Sequence, residues 1–360
     1  MISNWDNNTS HESRVTNHES RTRDIALSEK SAILVIGAGS WGTALALVLA
    51  RNGYRTYLWD DQSEHIHALI KDRCNNRHLP GFQFPDCLVP IPDLSPLQGE
   101  VKDIVIAVPC ESLAHVLRKL TGNHARAYSI CLACKGLEPE THSLNHLVVR
   151  KILGDIPVAV LSGPSFAREV AAGFPTAVTV AAADLATAGY FAAWFHGKVF
   201  RIYTQDDIIG VQIGGAVKNV MAIAAGIADG LGFGANSRAA LITRGLAEIT
   251  RLGVAMGARQ ETFMGLAALG DLVLTCTDDQ SRNRRLGLLL GQGGNVASAR
   301  GAIGQAIEGI LTAEAVHELS REYAVEMPIS EQIYLVLHGL TTPRAGVEAL
   351  LGREPRSELS

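Results

Sequence analysis

The 360-residue sequence lacks any unbroken run of 18 apolar residues, so no stretch reads as a membrane-spanning helix. It also lacks a strong charge of either sign. A formal net charge of −4 gives no reason to expect nucleic acid or an anionic membrane surface as a partner. Its six cysteines form no secreted-type framework, which fits a reducing cytoplasm. Cys131 and Cys134 have redox-motif spacing but end an apolar run, so they read as two core thiols. The histidines are scattered without ligand spacing, and no structural or catalytic metal is expected. Residues 1–30 are polar and of mixed charge, and contain a small repeat (His11-Glu12-Ser13-Arg14, then His18-Glu19-Ser20-Arg21). Without an apolar core this stretch is neither a secretory signal nor a transit peptide; it reads as a disordered extension.

What is present begins at Ile33. The run Ile33-Leu34-Val35-Ile36 leads into Gly37-Ala38-Gly39-Ser40-Trp41-Gly42 and then an Ala/Leu-rich helical pattern. Gly37 permits a tight turn, Gly39 lets backbone approach a pyrophosphate, and Gly42 lets the helix pack close to the strand. The free N–H groups of the helix start then meet the phosphate charge. This reads as a dinucleotide site.

Strand and helix patterns then alternate. Strands are expected at 54–59, 103–109, 129–133, 157–161, 176–182 and 199–203, and helices at 64–73 and 111–120. The segment holding Pro80, Pro85, Pro90, Pro92 and Pro96 reads as loop. Past Asp206 the strands stop, and Ala/Gly/Leu-rich helical patterns run to about Gly339. The expected fold is α/β: a Rossmann-like, doubly wound, mostly parallel sheet followed by an all-α C-terminal domain. The expected division is an extension over 1–30, a dinucleotide-binding domain over 31–203 and a helical substrate domain over 204–353.

Ligands of such sheets sit beyond the carboxyl ends of the strands. Four expected strand ends carry turns there: Gly37-Ala38-Gly39, Val108-Pro109-Cys110, Lys135-Gly136 and Gly163-Pro164-Ser165. Asp60 and Asp61 stand 18 and 19 residues beyond Gly42, about where a ribose-binding carboxylate belongs. An acid there favours NAD over NADP, but Arg55 lies upstream and the choice stays open.

Residues 208–231 form a helix apolar nearly all round, with Lys218 and Asn219 in its middle. Gly214 and Gly215 beside Lys218 suggest room for a ligand, and burial would draw the lysine toward a general base. The opposing reading is a lysine snorkelling from a core helix. Asp271 lies among apolar residues and needs a partner, for which Lys218 is the candidate. In Ser281-Arg282-Asn283-Arg284-Arg285, arginine and asparagine side chains suit a phosphate, although such a run can also be a solvated face.

Taken in order, Gly37–Ala46, Lys135-Gly136-Leu137-Glu138, Gly163-Pro164-Ser165-Phe166-Ala167, Gly214–Asn219, Gly270–Thr277 and Ser281–Arg284 make the chain resemble bacterial NAD(P)-dependent sn-glycerol-3-phosphate dehydrogenases from about Ala32 to Arg353. The resemblance implies reversible hydride transfer between sn-glycerol 3-phosphate and dihydroxyacetone phosphate, feeding phospholipid synthesis in the cytoplasm. It implies Lys218 as the acid–base group, with Lys135, Gly163, Ser165, Asp271, Ser281, Arg282 and Asn283 lining the substrate site. Cofactor positions implied with it are Gly37, Gly39, Ser40, Trp41, Gly42, Asp61, Lys135, Ala167, Arg282, Ala306 and Glu308, for NAD or NADP. Cys110 stands where relatives often have serine, as one small residue for another beside the cofactor. A two-domain β-hydroxy-acid dehydrogenase and a non-catalytic NAD(P)-binding sensor are the competing readings. The motifs around Lys135, Asp271 and Ser281–Asn283 argue against the first, and the presence of Lys218 and Asp271 against the second. The Ala/Gly-rich helices suggest a homodimer.

Overall fold

The structure is a computed structural model describing residues 30–97, 101–121, 128–355 and 357. The expected disordered extension and its repeat lie outside the described residues, apart from Lys30.

Strand β1 (Ile33–Ile36) turns through the glycine motif into helix α1 (Ser40–Arg51). Then follow β2 (Thr56–Trp59), α2 (Ser63–Asp72), β3 (Cys74–Asn75), β4 (Leu79–Gln83) and β5 (Leu88–Pro90). The series continues with β6 (Asp103–Ile106), α3 (Cys110–Lys119), β7 (Ser129–Leu132), α4 (Asn145–Leu153) and β8 (Val158–Ser162). It closes with α5 (Ala167–Ala172), β9 (Thr176–Ala182), α6 (Leu185–Phe195) and β10 (Phe200–Gln205). Eight strands make one sheet in the order β10-β9-β8-β7-β6-β1-β2-β5. All neighbours are parallel except β8 and β9. Both faces of β1 are covered: Ile33 and Val35 enter one apolar core, Leu34 and Ile36 another. That two-sided burial is why the central strands read as unbroken apolar runs rather than alternating ones.

The proline-rich segment is not all loop. Pro80 lies within β4, paired with β3, and Pro90 ends β5 at the sheet's edge beside β2. Proline costs a sheet little where no further strand needs its missing N–H. Strand β10 runs to Gln205, two residues past the expected domain end.

From Ile208 the described chain is helical. Helix α7 (Ile208–Gly230) has every residue from Gly210 to Ala228 buried. By length and composition it could cross a membrane, but 89% of its most apolar window is covered by the rest of the chain, as in a core helix. Around it lie α8 (Ala235–Ala255), a 3₁₀ turn (Gln260–Met264), a π turn (Leu266–Gly270), α9 (Asp271–Thr277) and α10 (Arg282–Gly291). Then come α11 (Val296–Ile303), α12 (Glu308–Glu322), α13 (Pro328–Leu337) and α14 (Pro343–Leu351). Val211 of α7 and Ala267 of the π turn share a core with Leu34, Ile106 and Ile130 of the sheet.

Candidate active site

The carboxyl ends of β1, β6, β7 and β8 meet helices α7, α9, α10 and α12 around a cavity of about 760 Å³, large enough for a dinucleotide and a small substrate. At β1 the chain turns at Gly37 (φ +104°), where a Cβ would stand 2.6 Å from the Ala107 carbonyl oxygen. A Cβ on Gly42 would strike the Gly37 carbonyl. Gly37 and Gly42 thus shape the turn from behind and do not line the cavity, whereas Gly39, Ser40 and Trp41 do. No side chain caps α1, so its first N–H groups remain for an anion, and a Cβ at Gly39 would meet nothing within 4 Å. This bare helix start, closely approachable at Gly39, fits a pyrophosphate. Ser40 Oγ donates to the His78 carbonyl (2.7 Å), and Trp41 Nε1 to the Ala133 carbonyl (3.2 Å), tying α1 to the end of β7.

Lys135 follows β7. Its ammonium donates to Asp271 Oδ2 (2.7 Å) and to the Gly163 carbonyl (2.8 Å), which also accepts from Ser165 Oγ (2.9 Å). Asp271 Oδ1 accepts from Lys218, whose ammonium also donates to Thr275 Oγ1 (2.8 Å). One almost fully buried carboxylate therefore holds two lysines from different halves of the fold. Burial draws Lys218 down to about 8 against the opposing pull of Asp271, with Lys135 adding to the lowering. Lys218 does not snorkel; its side chain is 7% exposed.

The explanation expected for Gly214 and Gly215 does not hold. A Cβ on Gly214 would stand 2.7 Å from Ala268 Cβ, and one on Gly215 would stand 2.6 Å from Ser162 Oγ. The two glycines admit the π turn and the end of β8, not a ligand.

The basic run divides by role. Ser281 caps α10, its Oγ accepting from the Arg284 N–H (3.2 Å). Asn283 lines the cavity, but its amide donates to Asn219 Oδ1 (2.9 Å) and its oxygen accepts from the Gly309 N–H (3.0 Å). Arg284 is buried against Asp229 (2.6 Å) and also pairs with Asp279. Arg282 and Arg285 remain along the cavity, and Arg285 Nε is buried with no hydrogen-bond partner. A buried guanidinium N–H without an acceptor suits an anionic ligand. Arg285 was legible only as part of a charged run.

Ala167, Ala306 and Glu308 also line the cavity. Burial pushes the Glu308 carboxyl up to about 7, with Arg282 and Cys110 opposing. Gly163 contributes its carbonyl from just outside the lining. Neither Asp60 nor Asp61 is among the residues lining the cavity; Asp61 is exposed, and Asp60 is half-buried behind the glycine turn. Asp60 is the carboxylate that meets the glycine turn: its Oδ2 accepts from the Ala38 N–H (2.8 Å) and its Oδ1 from the Gln62 N–H (3.1 Å). Cys110 is buried below Gly136 instead of beside the cavity, its sulfur close to Glu308 and 3.4 Å from Asn145 Nδ2. Cys131 and Cys134 are buried free thiols.

A doubly wound sheet with a bare helix start at its glycine turn, facing a paired lysine–aspartate floor, defines a two-part nicotinamide-nucleotide oxidoreductase. Residues 32–188 match the family model for the NAD-dependent glycerol-3-phosphate dehydrogenase N-terminus, and residues 207–348 that for its C-terminus. The chain belongs to the NAD(P)-dependent glycerol-3-phosphate dehydrogenase family and is an oxidoreductase of that activity. It is 54% identical over 331 residues to the glycerol-3-phosphate dehydrogenase [NAD(P)+] of Nitrosococcus oceani, covering 92% of this chain and 96% of that one. It is 52% identical over 332 residues to that of Shigella boydii, covering 92% and 98%. The crystal structure of the Coxiella burnetii glycerol-3-phosphate dehydrogenase superimposes with a TM-score of 0.86 at 47% identity, covering 90% of this chain and 99% of that one.

Proposed function

We propose that Lys218 is the acid–base group of the reaction, on the strength of one observation: its buried ammonium sits at the cavity floor between Asp271 and Thr275. When bound, the nicotinamide supplies or accepts the hydride at the substrate's central carbon. In the reductive direction, protonated Lys218 gives its proton to the oxygen of dihydroxyacetone phosphate as charge develops there. In the oxidative direction, neutral Lys218 takes it back from glycerol 3-phosphate. A group at about 8 exchanges a proton in either direction near neutral pH. Asp271 holds Lys218 in place, and Lys135 reaches the substrate end from β7. Arg282 and Arg285 hold the substrate phosphate, a remote anchor that orients the reacting carbon. Ser165, Ser281 and Asn283 shape that pocket. Gly39, Ser40, Trp41, Ala167, Ala306 and Glu308 line the dinucleotide's path.

The initial rate of dihydroxyacetone phosphate reduction, measured for wild type and Lys218→Ala, tests this reading. We expect a loss of about two to four orders of magnitude in kcat with cofactor binding retained. A variant as fast as wild type would remove Lys218 from the mechanism.

In this reading the enzyme works in the cytoplasm and supplies glycerol 3-phosphate to phospholipid synthesis, so cells depleted of it would need another source of glycerol 3-phosphate. The nucleotide-binding part ends with β10 at Gln205, and the helical part begins at Asp206. A homodimer is the expectation carried by the Ala/Gly-rich helices past Asp206, and sedimentation of the full chain distinguishes it from a monomer.

A further inference from the structure

The carboxylate at the end of β2 bears on a choice that the family's activity leaves open. In parallel pairing with β1, Trp59 lies opposite Ile36, so Asp60 comes level with Gly37, the first residue of the glycine turn. The Trp59 carbonyl accepts the Gly37 N–H (2.8 Å), and Asp60 Oδ2 accepts the next N–H, that of Ala38. The carboxylate is therefore fastened to the middle of the turn whose following residue, Gly39, lines the cavity. Its second oxygen is fixed by the Gln62 N–H. Two backbone bonds set its orientation, and each oxygen keeps a further lone pair for a ribose hydroxyl.

The Ala38 carbonyl is clamped as firmly. It accepts from Asn75 Nδ2 (2.8 Å) and lies 3.1 Å from His65 Nε2. Neither the turn nor the acid can swing aside independently.

The cations nearby do not oppose it. Arg55 lies over the Tyr57 ring, 5.5 Å from its centroid. Arg77 Nη1 donates to Gln62 Oε1 (3.1 Å), next to the peptide that Asp60 already holds. His78 lines the cavity, but burial, then His65 and Arg77, keep it below the usual histidine range, so it is neutral at pH 7.

We infer that Asp60 makes this enzyme select NAD(H) over NADP(H), accepting the adenosine ribose hydroxyls and repelling a 2′-phosphate. This rests on the reading that the glycine turn receives the dinucleotide. A 2′-phosphate brings a charge of about −1.5 to −2, against a carboxylate that the turn holds in place. Like charges a few ångströms apart in a partly enclosed site cost enough to separate the two affinities by at least about tenfold.

The test is calorimetric binding of NADH and NADPH to the full chain, for wild type, Asp60→Asn and Arg77→Ala, with melting curves to establish folding. A competition on wild type alone, adenosine 2′,5′-bisphosphate against adenosine 5′-monophosphate, needs no variant to fold. We expect wild type to bind NADH at least about tenfold tighter than NADPH, and the monophosphate to compete better than the bisphosphate. In Asp60→Asn the gap should close mainly through tighter NADPH binding. Arg77→Ala should leave NADPH binding within about twofold, since an exposed arginine tied to Gln62 contributes little. Wild type that binds NADPH as tightly as NADH overturns the inference, as does a gap unchanged in Asp60→Asn. A selective loss of NADPH binding in Arg77→Ala also overturns it, by making Arg77 the phosphate's partner. Failure of wild type to bind either dinucleotide would instead overturn the reading of the glycine turn itself.

Discussion

Asp271 is the residue on which the site's electrostatics turn. Both of its oxygens are taken by ammonium groups, and it is almost completely buried. Asp271→Asn would leave Lys218 facing Lys135 with no counter-charge between them. Breaking a buried pair in this way costs about 3–5 kcal/mol, because the remaining charge is stranded. The sign for Lys218 follows from its surroundings. Asp271 is the neighbour that holds its pKa up against burial, so removing the charge lowers it further below about 8. If Lys218 is the base as proposed, the rise of glycerol 3-phosphate oxidation with pH follows the neutral lysine and should move toward acid in the variant, together with a lower Tm. A profile left in place would mean that the titration belongs to another group. An aspartate among apolar residues and a lysine in a buried helix were both visible in the sequence, and each called for a partner. Lys135 was not visible as the third member, since it is 136 residues from Asp271 and only the sheet-to-helix packing brings them together. Arg285 was hidden differently: nothing in a run of cations says which one keeps an unpaired N–H.

Elements position these residues through close backbone contact. Helices α7 and α10 cross at glycines on both sides. A Cβ on Gly226 would strike the Arg284 carbonyl, and one on Gly287 the Ile223 carbonyl. A Cβ on Gly291 would stand 2.5 Å from the Ile227 carbonyl oxygen. The crossing fixes the helix that carries Lys218 against the helix that begins at Arg282. Gly287→Ala, which would gain helix propensity on an exposed helix, should here destabilise by about 2–4 kcal/mol through backbone displacement. It should also lower kcat with dihydroxyacetone phosphate, because a shift of about 1 Å between the proposed base, Lys218, and the proposed phosphate anchor, Arg282, is expensive. Unchanged melting and turnover would show that the helices separate without cost. This scale was the most unevenly legible. Strands buried on both faces announced themselves, and β9 falls where its apolar run placed it. Proline misled at Pro80 and Pro90, because an edge strand tolerates what a central one does not. The glycines of α7 were visible, but what fills the space beside them depends on long-range packing.

At the scale of the whole molecule, the two halves share apolar cores as well as a cavity. Val211 and Ala267 are buried among side chains of the sheet, so separating the halves would expose apolar surface on both. The described chain from Ala32 onward also partitions as one compact unit. A shared core of this kind couples unfolding of the sheet to unfolding of the helices. The expected result is a single cooperative thermal transition. Ligand linkage then makes a quantitative demand. NADH at a hundredfold excess over its Kd should add about 2.7 kcal/mol to the folded state. For a chain of this length, that corresponds to a rise in Tm of about 4 °C. Because the site is lined from both halves, the whole transition should move together, by calorimetry and by circular dichroism alike. Two transitions, of which NADH raises only one, would mean that the halves melt independently. The shared core would then be too weak to hold Lys218 in register with the glycine turn once the cofactor has left.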